Sequence, residues 1–155
     1  MDYNWDISSI LLYKQLFWIG LQNTVILGSV CLVLGLFFGL FVGAARFSGK
    51  LWLYYPATVF VEVFRNTPVL VQIMWFFFAF PIIAPFRIDA FTAASLGLTL
   101  NTIAFSSEIY RAGLQSIAKG QWEAGKALGM SYSEQMRRVI SVSYTHLRAH
   151  ETDSY

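Results

Sequence analysis

From Gln15 to Ala45 the chain carries no charged residue, a run well beyond the roughly 20 apolar residues that cross the hydrocarbon of a bilayer. The segment just before it, Ile7 to Trp18, mixes apolar and aromatic residues around Lys14 and fits a helix passing through the headgroup region, where Trp and Tyr are favoured. A first transmembrane helix over about 16–45 is expected. Met1 to Asp6 is acidic and lacks the basic start of a cleaved signal peptide, so this helix is expected to be retained. Arg46 and Lys50 follow, flanking Ser48-Gly49, and the positive-inside tendency puts their loop in the cytoplasm and the N-terminus outside.

Leu51 to Phe64 is apolar and aromatic, with Pro56 early, where a first-turn proline is tolerated, and Glu62 late. Glu62 and Arg65 stand three apart, able to pair on one helical face. A second charge-free run, about 66–86, is again long enough to span. Thr67-Pro68 is either an N-cap with proline at the first helical position or a kink in one longer helix that begins near Trp52. Pro81 and Pro85 are expected to end the helix on the outer side, before a loop with Arg87 and Asp89. A third span is expected over about 90–110, uncharged through Ser107. It carries Thr99, Asn101, Thr102, Ser106 and Ser107, which should turn toward other helices or water, because unbonded hydroxyl and amide groups are costly in hydrocarbon. Arg111, Lys119, Lys126, Arg137 and Arg138 all follow, so the third helix ends inside.

Within these spans a few residues invite a functional reading. Gly35, Gly39 and Gly43 recur every four residues, a stripe of small residues that favours close packing of another helix over the general abundance of glycine in membrane helices. Gln72, Asn101, Ser106 and Glu108 are candidates for lining a translocation path. Gln72 could equally be bonded to a neighbouring helix. Glu108 is a carboxylate at membrane depth, suited to a cationic or zwitterionic amino acid; the competing reading is a structural pair with Arg111.

Composition agrees with the hydropathy pattern. With 56% hydrophobic and 13% charged residues, a chain of 155 residues cannot cover its apolar surface as a water-soluble globule does. The lipid bilayer is its expected surroundings, and a net charge of +2 is too small to argue for nucleic acid. The single cysteine, Cys31, lies in an apolar run and reads as a small core residue. No histidine precedes His146, so no cluster suited to a membrane enzyme is evident. His146 and His150 lack a third ligand, and no metal is expected.

The polar stretch after the third span has its own pattern. Ile117 to Leu128 can form a short helix with Trp122 and Leu128 apolar, Lys119 and Glu123 at i,i+4, and Gly129 as its stop. Ser131 and Glu134 have the spacing of a capping box that starts a second helix toward Ile140. The small residues Ala124, Gly125, Ala127 and Gly129 suit close docking against a partner, although an amphipathic loop lying on the membrane fits the same pattern.

Here the chain resembles the permease subunits of bacterial ABC importers for polar amino acids. The resemblance rests on Glu108 to Ile117, on Lys119 to Ala124 with Ala127-Leu128-Gly129, and on a second block from Phe64 to Gln72. In that family Glu-Ala-Ala, three residues, Gly, nine residues, Ile, one residue, Leu-Pro marks the cytoplasmic loop that contacts the ATPase. Glu123, Ala124 and Gly129 match, Gly125 replaces the second alanine and Val139 the isoleucine, while Ser141-Val142 stand where Leu-Pro is expected.

The resemblance implies an all-α polytopic membrane protein. Residues 1–140 would form a partial transmembrane domain with three spans and a coupling loop over 111–140, and the full-length family member would have five spans. It implies a subunit that couples ATP hydrolysis by a partner to amino acid translocation. Gln121, Trp122, Glu123, Ala124, Gly125, Leu128 and Gly129 would form the ATPase-docking surface. The implied partners are cytoplasmic ATPase subunits, a second permease subunit in a homo- or heterodimer, and an extracytoplasmic solute-binding protein, in the bacterial inner membrane. The chain has no phosphate-binding Gly-Lys-Ser/Thr motif, so ATP and Mg are expected on the partner and no cofactor on this chain. A non-transporting scaffold or regulatory subunit is the alternative. Pattern and resemblance both break at Ser141, and residues 141–155 are expected to be a foreign tail on a truncated permease.

Overall fold

The computed structural model describes residues 13–84, 86–131, 134, 135, 137 and 138. The expected helix start at Ile7, the stop at Pro85, the later part of the second polar helix and the 141–155 tail with both histidines lie outside the described residues. The chain divides into two compact units, Met1–Arg111 and Ala112–Tyr155. Every element among the described residues is helical: α1 is Lys14–Phe47, α2 Leu51–Asn66, α3 Val69–Ile83, α4 Ala90–Gln115 and α5 Lys119–Ala127.

In α1 the usual distribution of residues is inverted. The buried residues of α1 are Cys31, Gly35, Gly39, Gly43 and Arg46, all small or polar. Its large apolar side chains point outward; Phe17, Val33 and Phe41 are each more than half exposed. An apolar exterior of this extent needs lipid or further protein to cover it. At about 1.5 Å per residue, α1 is about 50 Å long, enough to cross a bilayer at a tilt. Arg46 in its last turn suits the negative end of the helix dipole, and Gly49 at φ +69° makes the left-handed turn into α2.

The glycine stripe of α1 meets α4. A Cβ at Gly35 would overlap the Thr102 side chain, one at Gly39 would overlap the Ser106 hydroxyl, and one at Gly43 would lie 2.8 Å from the Ser107 carbonyl oxygen. Backbones approach because no side chain stands between them, and polar contacts fill the seam. Ser106 Oγ reaches the Gly35 carbonyl at 2.9 Å, and Cys31 Sγ lies 3.6 Å from the Ser95 carbonyl. On α4 a second close approach, at Gly97, admits Ile73 of α3.

The segment from Leu51 to Ile83 is neither of the two forms expected for it. α2 and α3 are separate helices that meet at a 103° bend. Thr67 closes α2 in extended conformation, and Pro68, also extended, precedes the first residue of α3. Proline disfavours a helical conformation in the residue before it, so Thr67 cannot continue α2. Pro56 also differs from expectation, lying beyond the first turn of α2. Within α3 the turns widen into a π-helical stretch over Trp75–Ala79. Pro81, expected to end the helix, is instead followed by two more helical residues. It lacks the N–H that an α-helix would aim at Phe77, and the widened turns fall immediately before it.

α1 is long and apolar enough to cross a membrane by itself, α2 and α3 qualify only as a bent pair, and α4 is long but too polar to qualify by composition. The polar content of α4 is largely internal: Ser106 and Ser107 are buried, and Ser107 Oγ bonds the Ala104 carbonyl. Asp89 caps its start. The carboxylate accepts the Phe91 and Thr92 backbone N–H groups at 3.0 and 3.2 Å, and the Thr92 hydroxyl as well. The Thr92 hydroxyl, aided by its N–H, holds the Asp89 carboxyl below its ordinary value.

Candidate functional site

Glu108 lies in the C-terminal part of α4, where three arginines from three helices converge on it. Arg46 from α1 pairs with Oε2, and Arg111, one turn on in α4, donates to Oε1 at 3.0 Å. Arg65 from the end of α2 brings Nη1 to 3.8 Å from Oε2. The Arg46 side chain is 5% exposed and also donates from Nε to Thr58 Oγ1 at 3.3 Å, so it is fully committed to the protein interior. The expected Glu108 and Arg111 pair is therefore one edge of a larger cluster. The expected Glu62 and Arg65 pair is not among the ion pairs of the described residues: Glu62 accepts from Asn66 Nδ2, and Arg65 lies over the Phe105 ring beside Glu108. The aromatic face and the part-buried carboxylate together outweigh an exposed neighbour on the same helix.

Gln72 and Asn101 converge elsewhere, on the carbonyls released where α2 breaks. Gln72 Nε2 donates to Phe64 and Thr67, each at 2.8 Å, and Asn101 Nδ2 donates to the Phe64 carbonyl at 3.0 Å. Two carbonyls around one nitrogen fix the orientation of the Gln72 amide and leave its buried Oε1 without a partner among the described residues. Both amides thus support the backbone at the bend. Ser106 is in the α1 and α4 seam and Glu108 among the arginines, so the four candidate path residues are held in three different settings.

The second unit holds the polar stretch. α5 starts after Ala118, two residues later than expected, and ends in a Schellman motif: Met130 N–H bonds the Gly125 carbonyl at 3.1 Å and Gly129 N–H the Lys126 carbonyl at 2.9 Å. Gly129 sits at φ +72°, a conformation that a side chain opposes. The Ser131 backbone N–H and hydroxyl both donate to Glu134 Oε2, at 2.8 and 2.7 Å, forming a capping box. Those two donors, the hydroxyl first, hold the Glu134 carboxyl below its ordinary value. Gln135 folds back over Gly125, which is buried, and donates to the Met130 carbonyl at 3.0 Å. Gln121, Glu123, Ala124, Leu128 and Gly129 are exposed, while Trp122 is half-buried. Lys119 and Glu123 form no ion pair with each other among the described residues.

Arg46, Arg65 and Gln135 are the residues that sequence reasoning missed as members of these clusters. The available signal was that Arg46 and Arg65 each lie in the last turn of a helix, Arg46 as the one charge after the long apolar run of α1.

Residues 35–141 match the family described as binding-protein-dependent transport system inner membrane component. The chain is 38% identical over 121 residues to a probable amino-acid ABC transporter permease protein, YckA, of Bacillus subtilis, covering 78% of this chain and 53% of that one. It is 43% identical over 122 residues to the glutamine transport system permease protein GlnP of Escherichia coli, covering 78% of this chain and 56% of the relative. The chain thus spans about half the length of these relatives. A crystal structure of an amino acid ABC transporter with histidines superposes with a TM-score of 0.80 at 33% identity, over 92% of this chain and 66% of that one. The match over most of its length establishes that the chain belongs to the family of binding-protein-dependent transport system inner membrane components.

Proposed function

We propose that this chain is part of the permease subunit of an ATP-driven importer for polar amino acids, and that α5 with its glycine turn is where a cytoplasmic ATPase docks. The observation that carries the reading is the shape of the second unit. A nine-residue helix closed by a left-handed glycine presents Gln121, Glu123, Ala124 and Leu128 outward. Small residues along that face admit a partner's surface, and Glu123 offers one charge for orientation. Gln135 packed on Gly125 and the Ser131 to Glu134 box make the segment stiff, so a push received there is transmitted as rigid-body displacement.

Three spans are proposed for this stretch of chain: α1, the bent pair of α2 and α3, and α4. The arginines near Glu108 and the basic residues around α5 support a cytoplasmic location for that end, with the N-terminus outside and the whole in an inner membrane. ATP hydrolysis and its Mg would belong to the partner. A second permease subunit and a solute-binding protein complete the proposed assembly. The names of the relatives support amino acids as cargo. The test is substrate-dependent ATP hydrolysis in vesicles holding a full-length version of this permease, the ATPase and the binding protein. Stimulation by a polar amino acid is expected, and ATPase activity indifferent to every amino acid would remove the importer reading.

A further inference from the structure

We infer that Arg65 and Arg111, backed by Arg46, form a binding site for a phosphate-type oxyanion, supplied by a phospholipid headgroup or by free phosphate. Three guanidinium groups surround the single carboxylate of Glu108, and no second carboxylate reaches them among the described residues. The cluster therefore holds two positive charges in excess of its one acid. Beside an apolar exterior, such an excess is costly unless an anion joins it.

The donor inventory shows where that anion would sit. Glu108 spends Oε2 on Arg46 and Oε1 on Arg111, and Arg46 is closed off from solvent. Arg111 Nε is buried without an acceptor among the described residues, while the side chain as a whole is 25% exposed. The Arg65 side chain is 36% exposed, makes no hydrogen bond among the described residues, and has its guanidinium carbon 5.5 Å from the centre of the Phe105 ring. Two guanidinium groups with unspent donors thus flank one carboxylate. A tetrahedral phosphate, whose free oxygens do not lie in one plane with its substituents, reaches two guanidinium forks on different helices better than a planar monocarboxylate does. The same helices expose Val59, Val63 and Ile109 nearby in sequence, apolar surface on which the acyl chains of a bound phospholipid could lie. This inference requires the chain to be in a membrane and does not depend on transport.

The test uses the purified chain in detergent, with bound lipid counted by native mass spectrometry and thermal unfolding followed in parallel. The probes are phosphatidylglycerol, phosphatidylcholine and inorganic phosphate at matched ionic strength. Phosphatidylglycerol should bind and raise the unfolding temperature; phosphatidylcholine, whose phosphate is offset by its own quaternary ammonium and so cannot balance the excess positive charge, should bind much more weakly; and Arg65→Gln should weaken phosphatidylglycerol about tenfold, the loss of one charge-assisted contact. Lys14→Gln, a charge change at the other end of α1, should leave binding unchanged. Protection by inorganic phosphate alone would identify free phosphate as the source, and protection by the lipid alone would identify the headgroup. Arg65→Lys keeps the charge and loses the fork; it should bind more weakly than the wild type, and serves if Arg65→Gln does not fold. Equal binding of phosphatidylglycerol and phosphatidylcholine, or wild-type oxyanion binding in whichever Arg65 variant folds, would overturn the site.

Discussion

Gly39 of α1 and Ser106 of α4 are packed so closely that a methyl group on the glycine would overlap the serine hydroxyl. That hydroxyl also reaches the Gly35 carbonyl at 2.9 Å, one turn earlier on the same stripe. Gly39→Ala should therefore destabilise the chain by about 1–3 kcal/mol, the usual cost of overpacking. Gly28→Ala, where a methyl group meets nothing within 4 Å, should be neutral or slightly stabilising. Thermal unfolding in detergent compares the two.

Removing the acid at the arginine cluster should cost more than removing an ordinary surface acid. Glu108→Gln deprives the buried Arg46 of its charged partner and should destabilise by about 1.5–3 kcal/mol, within the range for hydrogen bonds to charged groups. Glu62→Gln, which changes an exposed carboxylate bonded among the described residues only to Asn66, should cost less than about 0.5 kcal/mol. Unfolding curves of the two variants would show whether Glu108 has the weight assigned to it.

At the bend between α2 and α3, Gln72→Leu should leave the Thr67 carbonyl without its amide donor while Asn101 still serves Phe64. A loss of about 1–3 kcal/mol is expected, with faster amide hydrogen exchange in the first turn of α3. Unchanged exchange there would mean that the amide does not hold the bend.

The capping box has a pH signature. Since Ser131 lowers the Glu134 pKa from its ordinary 4.5, the bond contributes stability above that value and loses it as pH falls through the lowered folded-state pKa. Ser131→Ala should return the Glu134 titration toward its ordinary position, readable by carboxyl-carbon NMR.

Much of this architecture is local, and that part was legible. Charge-free runs of adequate length marked α1 and α4, and the Gly129 turn and the Ser131 to Glu134 box are written within a few residues of chain. The bend was not legible, because a proline predicts a boundary and says nothing about the angle beyond it. Nor was the partner of Arg65: helical spacing offered Glu62, whereas Glu108 is far away in sequence. The partners of Gln72 and Asn101 were hidden for a similar reason, although bonding of Gln72 to a neighbouring helix was one of its two open readings. A polar residue in an apolar helix needs a partner, and pattern alone does not reveal that the partner is a carbonyl freed by the helix break.

The proposed docking role of the glycine turn is tested most directly by co-sedimentation of a full-length permease with its ATPase, comparing wild type, Glu123→Lys and Gly129→Val. The valine opposes a backbone at φ +72° by about 1–2 kcal/mol and should displace the turn without preventing membrane insertion. Both variants are expected to insert normally and to lose ATPase binding and substrate-stimulated hydrolysis. Wild-type binding and coupling in both would contradict the assignment of α5 and its turn as the docking element.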